Sequence, residues 1–223
     1  MKPWVVIGRA RTPDGTELTL THHVSEYIIQ ADGQGLMSSR MHASEDALAV
    51  LGCADVRARR RPSVLVGGLG LGFTLRAALD VLPADASVLV AELVPEVIEW
   101  NRGPLGPCAG HPLDDPRVEV QAVDVAAVLR ASRRRFDAVL LDVDNGADAF
   151  TDAANCRLYD DGGIAALRAA LTPGGVLALW SLRDDTSFQQ RLRARGFRVV
   201  LERVRARGAR GGARHSILLA HLG

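Results

Sequence analysis

The spacing of apolar positions changes near residue 62. In residues 4–36, short apolar runs alternate weakly with polar residues and are separated by the turn signals Pro13-Asp14-Gly15 and Asp32-Gly33-Gln34-Gly35. This pattern predicts three strands, at 4–11, 17–22 and 25–30. We therefore predict a small antiparallel β segment over residues 1–40.

After Pro62, strand-length apolar runs alternate with helical patterns. Strands are predicted at 63–67, 87–92, 117–121, 136–141 and 175–181, and helices at 73–82, 94–102, 124–131, 160–171 and 185–195. Two further strand-like runs, 197–204 and 215–221, are joined by an Arg/Gly loop and predict an antiparallel hairpin. Residues 41–223 are therefore expected to form an α/β domain, with a doubly wound, mostly parallel, Rossmann-like sheet of seven strands.

Ser44 is predicted to cap a helix that ends near Leu51, because Glu45 and Asp46 follow in the first turn. This helix would join the N-terminal strands to the α/β domain.

A glycine-rich turn, Gly67-Gly68-Leu69-Gly70-Leu71-Gly72, follows the first strand of that domain. Glycines allow a tight turn and a close approach to a ligand, and the helix that follows points free N–H groups at it. Glu92 ends the next strand, at the offset where a carboxylate accepts both ribose hydroxyls. The alternative is a structural turn with a surface glutamate. The context favours a nucleotide-binding unit.

Composition excludes several classes of protein. The net charge of +1 argues against nucleic-acid binding by bulk electrostatics, although arginines cluster at 57–61, 133–135 and 203–214. No apolar run has the length of a membrane span, and we expect no signal peptide before the first strand. The three cysteines form no C-x-x-C pattern, which favours free thiols in the cytoplasm. His22 and His23 lack a third ligand of suitable spacing, so we expect no metal site.

Two aspartates end later strands of the predicted sheet. Asp142 closes the fourth parallel strand, beside the crevice where the strand order reverses, and a carboxylate there could accept a proton from a bound ligand. Asp124 follows the third strand. It could face a bound ligand at this end of the sheet, or it could cap the next helix.

The glycine-rich turn, Glu92, Asp114-Asp115-Pro116-Arg117-Val118, Asp124 and 136–142 resemble the spermidine synthase family. That family lies within the class I S-adenosylmethionine-dependent methyltransferase superfamily. The resemblance implies a homodimeric transferase that moves an aminopropyl or related alkyl group to a small amine. The donor is then S-adenosylmethionine or its decarboxylated form.

The resemblance also implies roles for individual residues. The nucleoside would bind the turn glycines Gly67, Gly68, Gly70 and Gly72, together with Glu92, Leu93, Asp124 and Val125. Asp142 would be catalytic, and Asp144 could substitute for the family's second aspartate, which is absent here. His42, Glu45, Asn145 and Tyr159 would bind the amine.

The chain departs from the family pattern at two positions. Asn145 stands where the family has a second aspartate, three residues after the first, and the glycine-rich turn carries no acid. These departures leave an S-adenosylmethionine-dependent methyltransferase and a non-catalytic nucleoside-binding relative as alternatives. A nicotinamide-dependent dehydrogenase is disfavoured, because the turn lacks the G-x-G-x-x-G spacing.

Overall fold

The computed structural model describes residues 3–142, 158–181, 184–206, 208 and 211–223. Two sheets organise these residues. The first contains β1 (Val5–Arg11), β2 (Glu17–His23), β3 (Glu26–Ala31) and β4 (Gln34–Ser38), paired antiparallel in chain order.

The predicted N-terminal strands are confirmed, but β4 was missed. The predicted turn at 32–35 occupies only Asp32 and Gly33, which have φ values of 46° and 79°. These left-handed conformations make a two-residue hairpin turn, so β4 begins immediately afterwards.

The second sheet has seven strands in the spatial order β10-β11-β9-β8-β5-β6-β7. Its strands are β5 (Ser63–Gly67), β6 (Ser87–Glu92), β7 (Val118–Ala122), β8 (Phe136–Leu141), β9 (Leu171–Ser181), β10 (Phe197–Arg205) and β11 (Arg214–Leu222). Strands β5 to β9 pair in parallel, and β11 pairs antiparallel with both β9 and β10. The predicted seven-stranded, mostly parallel sheet with a C-terminal antiparallel hairpin is confirmed.

Helices cover both faces of this sheet. Those of the described residues are α1 (Ala43–Gly52), α2 (Phe73–Val81), α3 (Pro95–Arg102), α4 (Val125–Ala131), α5 (Asp161–Ala170) and α6 (Thr186–Ala194). Side chains of α1 to α3 and of the N-terminal sheet share one apolar core with one face of the sheet, and those of α4 to α6 share a second core with the other face. Alternate residues of each strand point into different cores, as the two-residue period of a strand requires.

Helix α1 begins differently from the prediction. His42 takes the N-cap position without a side-chain capping hydrogen bond, and the helix starts at Ala43. Ser44 lies inside the helix and is fully buried. Its predicted capping role is therefore wrong, and the hydroxyl has other partners.

Candidate functional site

The carboxyl ends of β5, β6 and β8 meet where the strand order reverses. Strand β5 pairs with β6 on one side and with β8 on the other. The chain runs from β5 through β6 to β7 towards one edge of the sheet, and from β8 to β9 towards the other edge. In open α/β sheets this crevice is where ligands bind. The glycine-rich turn, Glu92 and Asp142 all lie at this end.

The glycine-rich turn requires glycine at three positions. Gly68, Gly70 and Gly72 have φ values of 83°, 51° and 84°, which side chains of L-residues rarely adopt. A Cβ at Gly67 would lie 2.8 Å from both Val125 Cγ2 and Leu141 Cδ2. The backbone shape and the close packing both explain why the turn is rich in glycine.

Glu92 stabilises this turn by accepting backbone hydrogen bonds. The Leu69 N–H donates to its Oε2 at 2.8 Å, and the Val94 N–H donates to Oε1 at 2.9 Å. The side chain is 7% exposed, and burial raises the pKa of the carboxyl although these backbone donors oppose the shift. The backbone N–H groups of Gly70 and Leu93 also act on this carboxyl.

Asn101, on α3, contacts the glycine-rich turn and was not predicted from the sequence. Its Nδ2 donates to the carbonyls of Gly70 and Val97, at 2.8 and 2.9 Å, and the side chain is 1% exposed. A Cβ on Gly72 would lie 2.9 Å from Asn101 Oδ1. The available signal was a polar residue on the apolar face of a predicted helix.

Met37 contacts the same turn from the N-terminal sheet. A Cβ on Gly70 would lie 2.6 Å from the Met37 sulfur, so the thioether packs directly on the glycine backbone. The missed strand β4 thus places a residue over the turn.

Asp124 caps α4, which was the alternative considered for it. Its Oδ1 accepts from the Ala126 N–H at 2.8 Å, and Arg130 lies 3.8 Å from Oδ2. The carboxylate is 45% exposed and so remains accessible beside the crevice. Val125 is buried against Gly67, whereas Leu93 is 42% exposed and is not a core residue.

Asp142 immediately follows β8 and is oriented by Thr74. The Thr74 hydroxyl donates to Asp142 Oδ2 at 2.5 Å, and the Asp142 N–H donates to the Gly67 carbonyl at 2.9 Å. Thr74 lies in the first turn of α2 and is 1% exposed. This arrangement holds the carboxylate at the mouth of the crevice. The predicted site residues Asp144 and Asn145 lie outside the described residues.

His42 and Glu45 lie at the start of α1, next to the crevice. The His42 ring stacks on Phe73 with centroids 4.0 Å apart, and its Nδ1 lies 2.8 Å from Asp46 Oδ2. Because Phe73 is the first residue of α2, this stacking joins α1 to the helix that follows the glycine-rich turn.

A cavity of about 260 Å³ lies beside Glu45. Met37, Met41, Trp180 and His215 line it together with Glu45. Burial raises the pKa of the Glu45 carboxyl. A carboxylate in a mostly apolar cavity is a suitable site for a ligand ammonium group.

Tyr159 is placed away from this cavity. Its ring packs edge-on against Phe188 of α6, with centroids 5.2 Å apart, and it belongs to the core on the other face of the sheet. The structure therefore places His42 against the helix that follows the glycine-rich turn, and Met37, which packs on Gly70, in the wall of the Glu45 cavity. Tyr159 does not line this cavity.

The described residues contain no group of three or more metal-ligating side chains and no helix long and apolar enough to span a membrane. Cys53 and Cys108 are free thiols there, and Cys156 lies outside the described residues.

The strand order and the glycine-rich turn define the class I methyltransferase-type fold, in the form found in spermidine synthases. A spermidine synthase crystallised with the transition-state analogue AdoDATO superposes with a TM-score of 0.74 at 19% identity, covering 98% of this chain and 72% of that one. The Thermotoga maritima spermidine synthase gives a TM-score of 0.75 at 20% identity, over 98% of this chain and 73% of that one. The predicted fold class is confirmed.

Sequence comparison finds similarity to polyamine aminopropyltransferases. The chain is 34% identical to polyamine aminopropyltransferase 2 of Pseudomonas aeruginosa over 124 residues, which are 56% of this chain and 34% of that protein. It is 35% identical to the polyamine aminopropyltransferase of Nitrosomonas europaea over 119 residues, which are 53% of this chain and 34% of that protein. It is 29% identical to that of Corynebacterium efficiens over 176 residues, which are 77% of this chain and 32% of that protein.

The predicted resemblance to spermidine synthases is confirmed by these similarities. The alignments span about a third of the length of the curated relatives. No protein-family model matches the chain.

Proposed function

We propose that the chain is a transferase that moves an aminopropyl group from a decarboxylated S-adenosylmethionine-type sulfonium donor to a small amine. The observation that carries this proposal is the placement of the Thr74-held carboxylate of Asp142 beside the turn braced by Glu92. The names of the curated relatives support the same reaction class.

The donor nucleoside would lie along the glycine-rich turn. Glu92 would accept the two ribose hydroxyls beside the Leu69 and Val94 N–H groups that it already holds. Asp124 would accept from the adenine amine with the exposed part of its carboxylate, while Val125 and the exposed Leu93 would contact the rings.

Asp142 would handle the proton of the reaction. The acceptor enters as an ammonium ion and must lose one proton to the carboxylate before its nitrogen can attack. The new C–N bond forms as the C–S bond breaks, the electron pair of that bond goes to sulfur, and the products are a neutral thioether and a secondary ammonium ion. The sulfonium supplies an activated leaving group, so the protein contributes mainly orientation. Asp144 and Asn145, next along the chain, would assist Asp142 and bind the amine.

The Glu45 cavity would hold the end of the acceptor that is remote from Asp142. Its apolar wall from Met37, Met41 and Trp180 suits a hydrocarbon chain, and Glu45 suits an ammonium group. His42 would support this end of the site through its stacking on Phe73. Tyr159 would contribute only if the acceptor extended beyond the cavity to the other face of the sheet.

One observation favours a second candidate, an S-adenosylmethionine-dependent methyltransferase. Neither the glycine-rich turn nor the first turn of α2 contains an acidic residue that would attract the aminopropyl ammonium of a decarboxylated donor. The N-terminus of α2 instead favours a negatively charged group, such as the carboxylate of ordinary S-adenosylmethionine.

We also propose a cytoplasmic homodimer that assembles through the N-terminal sheet and needs no metal. The edge strand β1 and the residue before it expose Trp4, Val5, Val6 and Ile7 by 42–52%, which is typical of a surface that another strand covers. The free thiols of Cys53 and Cys108 are consistent with a reducing compartment.

Mass spectrometry of the small-molecule products tests the proposal. The protein would be incubated with 1,4-diaminobutane and with either donor. Methylthioadenosine plus an aminopropylated amine is the expected result, S-adenosylhomocysteine would establish the methyltransferase, and neither product from a nucleoside-binding protein would favour the non-catalytic alternative. Asp142→Asn should retain nucleoside binding and lose turnover by about a hundredfold or more. Unchanged turnover would remove Asp142 from the mechanism.

A further inference from the structure

Ser44 connects two titratable side chains of the cavity. Its hydroxyl donates to Glu45 Oε2 at 2.5 Å, and His215 Nδ1 lies 2.9 Å from the same hydroxyl oxygen. Because Ser44 has a single hydroxyl proton and donates it to the carboxylate, His215 must donate its Nδ1–H to Ser44. The three side chains thus form a directed chain of hydrogen bonds from imidazole to carboxylate.

This chain links two distant parts of the sequence. Ser44 and Glu45 lie in the first turn of α1, whereas His215 lies in β11, 171 residues beyond Ser44. Ser44 is fully buried, and the His215 ring packs edge-on against Trp180 with centroids 4.8 Å apart. The ring is therefore held against one wall of the cavity, two hydrogen bonds from the carboxylate.

We propose that His215 is a positioning residue that controls the admission of a cationic acceptor to the Glu45 subsite. In its neutral form it orients Ser44, which in turn fixes one oxygen of Glu45 and directs the negative charge into the cavity. In its charged form it keeps the same hydrogen bond but adds a positive charge that repels an ammonium ligand. This inference rests on the proposed function, because it takes an amine as the ligand of the cavity.

The charges around both groups favour such a coupling. Asp46 and His42 face Glu45 from α1, with effects of opposite sign on its carboxyl, while burial opposes its charge. Burial also lowers the pKa of His215. The flanking Arg214 pairs with Arg205 across the hairpin, and successive strand residues point to opposite faces, so these two arginines lie on the face opposite His215.

The size of the effect follows from Coulomb's law. Two like charges about 7 Å apart, at an effective dielectric constant of about 20 to 40, repel enough to weaken binding about tenfold or more. Binding is reciprocal, so an ammonium ligand must also make His215 harder to protonate.

The test is an NMR titration of the His215 ring in the full chain, with and without 1,4-diaminobutane and with methylthioadenosine present. We expect the diamine to move the His215 midpoint to lower pH, and Glu45→Gln to abolish that response. As the pH is lowered through the His215 titration, the diamine affinity measured by calorimetry should fall about tenfold more in the wild type than in His215→Asn. Asn offers a donor near the Nδ1 position but does not titrate.

His221→Asn is the matched control. His221 lies on the same strand, burial also lowers its pKa, and it faces Asp55 at 3.3 Å, far along β11 from the cavity. This variant should behave as the wild type. Ser44→Ala provides a second variant, which interrupts the hydrogen-bond chain and leaves the side chains of His215 and Glu45 in place.

Each outcome of these experiments either supports or overturns the role of His215. A His215 midpoint that ignores the diamine, or equal pH dependence in the wild type and His215→Asn, overturns the inference. A midpoint that responds to the diamine in a protein that forms no transfer product overturns the proposed reaction and leaves the coupling of His215 to the cavity standing.

Discussion

The replacement Glu92→Gln tests the nucleoside site most directly. It preserves the shape of the side chain but replaces one carboxylate oxygen with an NH₂ donor. Since the Leu69 and Val94 N–H groups each point at one oxygen, one of them must then face another donor. The ribose hydroxyls also lose a charged acceptor, and a hydrogen bond to a charged group contributes about 1.5–3 kcal/mol. Losing roughly one such bond weakens nucleoside binding about tenfold to a hundredfold.

Isothermal titration calorimetry with methylthioadenosine and with S-adenosylhomocysteine provides the assay, because these thioethers are the products of the two candidate reactions. The matched control is Glu96→Gln, which neutralises an exposed acid in the first turn of α3. It should change affinity by less than about threefold, in line with a surface helix-dipole effect. If Glu92→Gln bound both thioethers as tightly as the control, Glu92 would not contact the ribose.

Three further changes test neighbouring parts of the argument. Thr74→Val should reduce turnover about tenfold with unchanged nucleoside affinity, because Asp142 loses its orienting donor. Thr74→Ser keeps a hydroxyl and should restore kcat. Full activity of the valine variant would exclude a role for Thr74 in orienting Asp142. The hydrogen bond from Arg117 lowers the pKa of Asp115 to about 2 from 3.8, so this carboxylate stabilises the fold above about pH 4 and the contribution disappears towards pH 2. Denaturation of Asp115→Asn should accordingly show lower stability at pH 7 and no difference near pH 2. Cys53 is fully buried and burial raises its pKa to about 12, so Cys53→Ala should not change the native thiol count by a disulfide reagent at pH 8 but should lower it in urea.

The fold was predictable because each element carries its own local signal. Apolar runs of strand length and amphipathic helices alternate from β5 to α6, and this alternation alone indicates a doubly wound sheet. The missed strand β4 also had a signal, since Asp32-Gly33 is a typical two-residue hairpin turn. The prediction extended that turn by two residues and so removed the start of the strand.

The nucleoside side of the candidate site was predictable for the same reason. Glu92 and the turn glycines stand at fixed positions relative to β5 and β6, and the sheet brings these strand ends together. Asp142 follows from the same rule applied to β8. Their proposed ligand contacts remain predictions, but their convergence in the crevice is observed.

The acceptor side was less predictable, and Ser44 shows why. A serine followed by two acids is a typical start of a helix, yet the hydroxyl is needed by Glu45 and His215. A local pattern cannot reveal a partner on β11, because nothing near Ser44 in the sequence distinguishes a capping hydroxyl from one that bridges two side chains. The same holds for Asn101, whose partner Gly70 lies 31 residues away.

These long-range contacts have one physical feature in common. Each places a buried polar side chain where an apolar residue would pack without the desolvation cost of a polar group. Such polar groups are retained where their hydrogen bonds are satisfied or are needed for function. Asn101 holds the turn proposed to bind the donor, Thr74 holds the carboxylate proposed to accept the proton, and Ser44 holds the carboxylate proposed to bind the amine. Three buried hydrogen-bonding groups, from three different helices, thus hold the three parts of the proposed reaction site. If the site had no function, apolar side chains at these positions would make a more stable core. We therefore expect replacement of Asn101, Thr74 or Ser44 to affect turnover more than stability.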